Sequence, residues 1–246
     1  MHPILLKFGP ITIYSYGLMV ALGFITATIL AARTAESFHI PQDRVTALSL
    51  WILISGIIGA RMLYILLNLR YFVSRPLETI MVWHGGLAFY GGVGTAFIAS
   101  LVYLKIIKLP IVDTADLIAP YIALGHSIGR IGCFLNSCCF GKATSAFYGI
   151  AFADGVTRHP TQLYSSLYLL FLYMFLRVIL RYRGFKGQVF FLYLILYPAG
   201  RFLIEFLRAD NPNVIFNFTL SQVISLAVFI FGICGYWGQH KWNKKR

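Results

Sequence analysis

Residues 115–141 read ADLIAPYIALGHSIGRIGCFLNSCCFG. The stretch is apolar through Leu135, yet it holds His126 and Arg130 and ends in a cluster of cysteines. Its class is decided by the rest of the chain. Over 246 residues, 59% are hydrophobic and 12% charged, against about 25% charged in a soluble domain. Mean hydropathy is +0.75. Apolar runs of membrane-spanning length recur at approximately 11–32, 46–69, 80–104, 115–135, 163–180, 188–207 and 219–238. The sequence therefore predicts an all-α polytopic membrane protein, a single integral domain over 1–246 with about seven transmembrane helices. The first run is preceded only by Lys7 and has no small-residue cleavage pattern, so it reads as a retained helix.

The net charge of +13 would suggest nucleic acid in a soluble protein. Here the basic residues sit in membrane hairpins and tails, where they anchor helices and attract anionic headgroups, so no nucleic-acid partner is expected. Arg177, Arg181, Arg183 and Lys186 fill the loop between the fifth and sixth runs, and Lys241, Lys244, Lys245 and Arg246 fill the C-terminal tail. The positive-inside bias puts both in the cytoplasm, with Arg33, Arg44, Lys105 and Lys108 on the same side. Seven spans then place the N-terminus outside, the side that in a bacterium is the periplasm or outer leaflet. Loop 140–160 also falls outside, as a small outer cap within which FYGIAF (147–152) is a candidate strand.

The third run contains WHGGLAFYGGVG (83–94). Each glycine weakens a helix by about 1 kcal/mol relative to alanine, and irregular backbone survives in lipid only when protein or a wet cavity covers it. The segment reads as broken and lining a site; the alternative is close helix–helix packing through small residues.

Arg61, Arg130, Arg201 and Glu205 lie in or beside apolar runs. A charge at the bilayer centre costs roughly 2.5–3.5 kcal/mol on insertion scales, so each needs a partner or a cavity. Arg201, Glu205 and Arg208 are spaced four and three and share a helix face, with Pro198 and Gly200 beside them to distort the helix and free a carbonyl near Leu194. The alternative for Arg201–Glu205 is a pair that satisfies itself. His126, Arg130 and Cys133 share another face, and Gly125, Gly129 and Gly132 line its neighbour, where a second helix can approach. A single helical histidine such as His126 is more often structural. Guanidinium binds phosphate bidentately, so arginines facing one cavity suit an anionic phospholipid, held as a fixed lipid, a transported substrate or a leaving group. Cys133, Cys138, Cys139 and Cys234 lack a zinc spacing, no metal is expected, and they read as packing groups.

These blocks resemble the prolipoprotein diacylglyceryl transferases of bacteria. YGLMVALGF (16–24) is similar to the family's first-helix signature and WHGGLAFYGGVG to its glycine-rich segment. GRIGCFLNSCCFG (129–141), RHPTQLY (158–164) and GRFLIEFLR (200–208) follow in the family's order. The resemblance implies an enzyme that moves the diacylglyceryl group of phosphatidylglycerol to the lipobox cysteine of a prolipoprotein. A thioether forms and glycerol phosphate leaves, with no cofactor. Both the lipid and the signal peptide would enter from the membrane.

By the same resemblance, Arg130 and Arg201 match arginines tied to the headgroup, Glu205 the glutamate after the second, and Tyr16 a required tyrosine. Asn136 and Gly141 match later signature positions, while Arg158, His159, Gln162 and Arg208 fall in motif blocks as substrate-binding candidates. Four positions depart. Tyr90 stands where many members carry a histidine, making Tyr90 and Tyr16 candidate proton acceptors, with His159 the alternative. Cys133, still a substrate-binding candidate by its place in the signature, and Cys138 replace an asparagine and a glutamate, and Ser165 replaces a carboxylate. A flippase or transporter for an anionic lipid or solute is the competing reading, though it would need a second broken helix. A non-catalytic lipid-binding relative is the third.

Overall fold

The computed structural model describes residues 3–8, 11–152, 154–215 and 217–244; Lys245 and Arg246 of the basic tail lie outside them. Seven helices among them are long and apolar enough to cross a membrane. They are α1 (Ser15–Ala35), α2 (Gln42–Leu67), α4 (Phe89–Ile106), α5 (Ile111–Leu135), α6 (Thr161–Arg181), α7 (Gln188–Glu205) and α8 (Leu220–Lys244). A short α3 (Leu69–Ser74) follows α2. The chain is a multi-pass membrane protein. Three two-stranded antiparallel ribbons join the helices: β1 (Ile4–Phe8) with β2 (Ile11–Tyr14), β3 (Ile150–Ala151) with β4 (Thr157–Arg158), and β5 (Asn213–Ile215) with β6 (Phe218–Thr219).

The first apolar run is thus divided. Ile11–Tyr14 pairs with Ile4–Phe8, and the helix begins at Ser15, whose backbone N–H donates to Pro3 O. An apolar strand and an apolar helix cannot be distinguished by hydropathy when one runs into the other. In loop 140–160, only Ile150–Ala151 of FYGIAF is strand.

The chain forms two compact units, one of Met1–Ala31 with Val112–Arg246, the other of Ala32–Ile111. In the first, α5 is the most buried long helix, with Leu117, Ala119, Pro120, Tyr121 and Ala123 enclosed. Glycines let α1 reach it. A Cβ on Gly23 would stand 2.6 Å from Gly125 O, and one on Gly132 would stand 3.3 Å from the Tyr16 backbone. The small-residue face expected on the fourth run is therefore the α1 contact. Ser127 and Ser166 cross-link α5 to α6 by donating to each other's carbonyls at 2.8 and 2.9 Å. Asp116 is fully buried and accepts from Gly187 N (2.7 Å), Phe190 N (2.9 Å) and Arg183 Nη1 (2.9 Å). It satisfies amides that open α7 and would otherwise lack partners.

The second unit explains the glycine-rich run: its first half is broken, and its second half is a packing surface. Residues 76–88 form 3₁₀ turns and irregular chain, with Gly85 and Gly86 at φ +85° and +75°. Buried Arg61 covers this break by donating to the carbonyls of Glu78, Thr79 (3.1 Å), Met81 (3.3 Å), Gly85 (2.6 Å) and Gly86 (3.1 Å). A guanidinium with five donors suits a broken backbone that cannot satisfy its own carbonyls. The second half is a packing surface. A Cβ on Gly91 would lie 2.5 Å from Gly59 O, and Thr95 Oγ1 donates to Ser55 O at 2.9 Å.

Candidate active site

In the first unit, His126 and Arg130 of α5, Ser165, Tyr168 and Leu169 of α6, and Tyr197, Arg201 and Ile204 of α7 line one narrow, partly open cleft. Arg130 and Arg201, which the sequence expects in one chamber, share it. Arg130 Nε donates to His126 Nε2 at 3.1 Å. A guanidinium only donates, so Nε2 is unprotonated and the imidazole is neutral. The Tyr197 ring lies 5.5 Å from His126 and stacks on Tyr193 at 5.4 Å. α7 runs through Pro198 without a break. Gly200 leaves room for the Tyr168 ring, and the Tyr168 hydroxyl donates to Leu196 O at 2.5 Å. The hydroxyl thus caps a carbonyl two residues before Pro198.

Charge separates the arginines. Arg201 Nη1 donates to Glu205, and Arg201 Nη2 to Ser221 Oγ at 3.2 Å. The Glu205 carboxylate is fully buried, and its Oε1 accepts from Asn211 Nδ2 (2.5 Å) and Thr219 Oγ1 (2.8 Å). Arg208 lies 3.7 Å from Glu205 Oε2 and holds Asp210 bidentately at 2.9 and 2.5 Å. Burial opposes the charge on Arg208, but the bonds to Asp210 outweigh it and push its pKa up. Among the described residues no carboxylate pairs with Arg130. Three guanidiniums face two carboxylates, which leaves one positive charge at the Arg130 end.

The 129–141 signature shapes the approach to this cleft. Ser137 (φ +54°) donates from N to Phe134 O at 3.1 Å, and Cys138 N donates to Cys133 O at 3.1 Å. These two bonds form a Schellman ending on α5, with Asn136 as its last helical-side residue. The turn folds Cys138 over Cys133, and Cys139 (φ +62°) turns the chain once more. Three thiol sulfurs, from Cys133, Cys138 and Cys139, come within 4.8 Å of one another. Spacing alone hid this convergence, because it depends on two left-handed residues that are not glycine. Buried Thr161 and Gln162 fix the turn: Thr161 Oγ1 donates to Cys139 O at 2.9 Å and Gln162 Nε2 to Cys138 O at 2.7 Å. Hydrogen bonds from the Cys133 and Cys138 thiols, then the Arg208 and Arg130 charges, hold the Cys139 thiol below its usual range. Tyr16 is near enough to interact electrostatically with Cys133 and Arg130.

Gly141 is a second close approach. A Cβ there would stand 2.6 Å from His159 Cβ and 2.8 Å from Leu207 O. Gly141 N donates to His159 O (2.9 Å) and Lys142 N to Leu207 O (2.8 Å), which ties the cap to the segment carrying Arg208. Arg158 is held by Asp154 at 2.6 Å and lies over the Phe140 ring at 4.5 Å, and the His159 ring reaches the Tyr164 hydroxyl at 3.4 Å. Asp154 is held below the usual carboxylate range by the Arg158 bond and by Val156 N.

A sequence profile described as prolipoprotein diacylglyceryl transferase matches residues 3–238. The chain belongs to the prolipoprotein diacylglyceryl transferase family. It is 34% identical to a phosphatidylglycerol–prolipoprotein diacylglyceryl transferase of Clostridium tetani over 95% of this chain and 96% of that one. A second such transferase of Clostridium perfringens is 36% identical over 91% and 90% of the two chains. One from Bacillus licheniformis is 33% identical over 94% and 89%.

The expected site residues fall into three groups. Arg130 and Arg201 line the cleft; Glu205 and Arg208 support it through ion pairs. Tyr16 opens α1 against Gly132, and Cys133, Asn136, Gly141, Arg158, His159 and Gln162 build the adjoining turn and cap. Tyr90 opens α4 in the second unit, about half exposed, with its ring 5.6 Å from Phe89. Sequence reasoning passed over Tyr168, Tyr197, Asn211 and Thr219. The Gly200 beside Tyr168 was a usable signal; the Asn211 and Thr219 bonds to Glu205 were not, since they depend on the β5–β6 ribbon folding back.

Proposed function

We propose that this protein transfers the diacylglyceryl group of phosphatidylglycerol to the lipobox cysteine thiol of a prolipoprotein, forming a thioether and releasing glycerol phosphate. One observation carries the reading beyond family membership: a cleft shared by Arg130 and Arg201 in which the positive charge of Arg130 is unmatched. An anionic headgroup supplies the missing negative charge. The membrane is that of a bacterial cell, with the N-terminus outside and the C-terminus in the cytoplasm, in keeping with the basic loop at 177–186 and the basic tail.

The chemistry balances without an added redox partner. The substrate sulfur bonds to the glyceryl carbon as the carbon–oxygen bond to phosphate breaks. The electron pair leaves on the phosphate oxygen, and the thiol proton is accounted for on the departing monoester, whose second pKa is about 6. Arg130 offers its terminal nitrogens where that negative charge grows. Its side chain is oriented through Nε by neutral His126. Arg201 is steadied by Glu205, which is itself held by Asn211 and Thr219. Binding thiol and lipid in line supplies the remaining acceleration.

The test is purified protein in phosphatidylglycerol vesicles with a lipobox peptide, read by mass spectrometry. A diacylglyceryl mass increase on the peptide cysteine is expected. Lipid movement between leaflets without peptide modification would replace this reading with the flippase.

A further inference from the structure

The turn that ends α5 brings together three thiols that the transfer reaction does not use. We propose that Cys133, Cys138 and Cys139 form a binding site for one thiophilic metal ion of the zinc and cadmium class, held as a tris-thiolate.

The geometry is close to what such an ion requires. Sulfurs around zinc at about 2.3 Å in tetrahedral array stand about 3.8 Å apart. The three sulfurs here lie within 4.8 Å of one another, so a contraction of about 1 Å completes the site, within reach of small χ1 rotations. The backbone is already set. Cys133 is the last-turn residue of α5, Cys138 sits over it through the Schellman bond, and Cys139 is reversed by its left-handed φ. Thr161 and Gln162 lock the Cys138 and Cys139 carbonyls from α6. Such outer contacts orient metal ligands.

Charge also fits. Three thiolates and a divalent ion carry one net negative charge, and Arg130 and Arg208 both act on this cluster. An anionic metal–thiolate group is therefore placed beside guanidinium rather than carboxylate. Cys133 is buried, whereas Cys138 and Cys139 are half-buried, which leaves a path for the ion. Cys234 is exposed and lies on α8, outside the cluster.

Cadmium is the probe, because its thiolate complexes absorb in the near ultraviolet. The full-length protein, reduced and metal-free in detergent, is titrated with Cd²⁺ alone. One equivalent should produce a thiolate charge-transfer band that Zn²⁺ displaces. Cys138→Ser and Cys139→Ser should each weaken binding by roughly 100-fold or more, and Cys234→Ser should leave it unchanged. A second measurement needs no variant: bound Cd²⁺ should shield Cys138 and Cys139 from alkylation by N-ethylmaleimide in the native sequence, as mapped by mass spectrometry. Absence of a one-equivalent band in protein whose three thiols remain reduced overturns the proposal. A band that survives both serine changes, or equal alkylation with and without Cd²⁺, does so too. None of these readouts requires transferase activity.

Discussion

Replacing Arg130 with alanine removes the guanidinium that no described carboxylate neutralises. The expected cost follows from its contacts. Among the described residues it makes one hydrogen bond, to neutral His126 at 3.1 Å, so its loss to the fold is about 1 kcal/mol. Its terminal nitrogens are the part assigned to the leaving phosphate. Loss of one preorganised donor to a developing oxyanion costs about 10²–10³ in rate. A bidentate group whose charge no described carboxylate matches belongs at the upper end, about 10³-fold in kcat/KM, or about 4 kcal/mol. Arg130→Lys keeps the charge but loses the fork and the Nε bond to His126, and should fall between, roughly 10–100-fold below the native protein. The assay is peptide lipidation in phosphatidylglycerol vesicles, with thermal unfolding in detergent run alongside. Activity above about a tenth of native in a folded Arg130→Ala protein would refute the assignment of Arg130 to the leaving group.

Glu205→Gln leaves Arg201 without its buried partner and should destabilise the protein by about 3–5 kcal/mol, seen as a lower thermal midpoint, with activity falling too. Asp116→Asn removes the charge that binds Arg183 and weakens the cap on α7; a comparable stability loss is expected from the same measurement, at a place remote from the chemistry. Gly141→Ala puts a Cβ against His159 and Leu207 O and should cost about 1–3 kcal/mol through overpacking, with faster proteolysis between 140 and 160. His84 is half-exposed and meets Glu78 at 2.9 Å, so His84→Ala should keep activity within roughly twofold.

Seven membrane helices were legible because lipid imposes length and apolarity on every span. Observed boundaries for α6 and α7 fall within two residues of the expected runs. The arginine cleft was legible for a related reason: a charge placed in an apolar run demands a partner, and helical spacing shows which charges share a face. Ile11–Tyr14 was misread because a strand entering a helix leaves no polar boundary. Arg61 was recognised as needing a partner, but its five carbonyl acceptors come from backbone that hydropathy cannot trace. The thiol cluster was missed for a different reason. Cys133 and Cys138 converge through backbone torsion at Ser137, and neither position is glycine.

The signature at 129–141 therefore works mainly through backbone shape. Of its residues only Arg130 lines the cleft. Gly132 admits the backbone of Tyr16, the left-handed Ser137 and Cys139 reverse the chain, and Gly141 admits Leu207 O. Together these features return the chain from α5 to Gly141, which pairs strand-like with Arg208 five residues after Asn136 has closed the helix. The turn thus ties the end of α5 to the segment after α7 that carries Arg208. Ser137→Gly and Ser137→Ala test this together, since both remove the hydroxyl and differ in the cost of a positive φ. Glycine adopts that φ without the penalty a Cβ carries, about 1 kcal/mol, so the glycine variant should have the higher thermal midpoint and both should stay active. Equal midpoints would mean that the left-handed turn does not secure the end of α5.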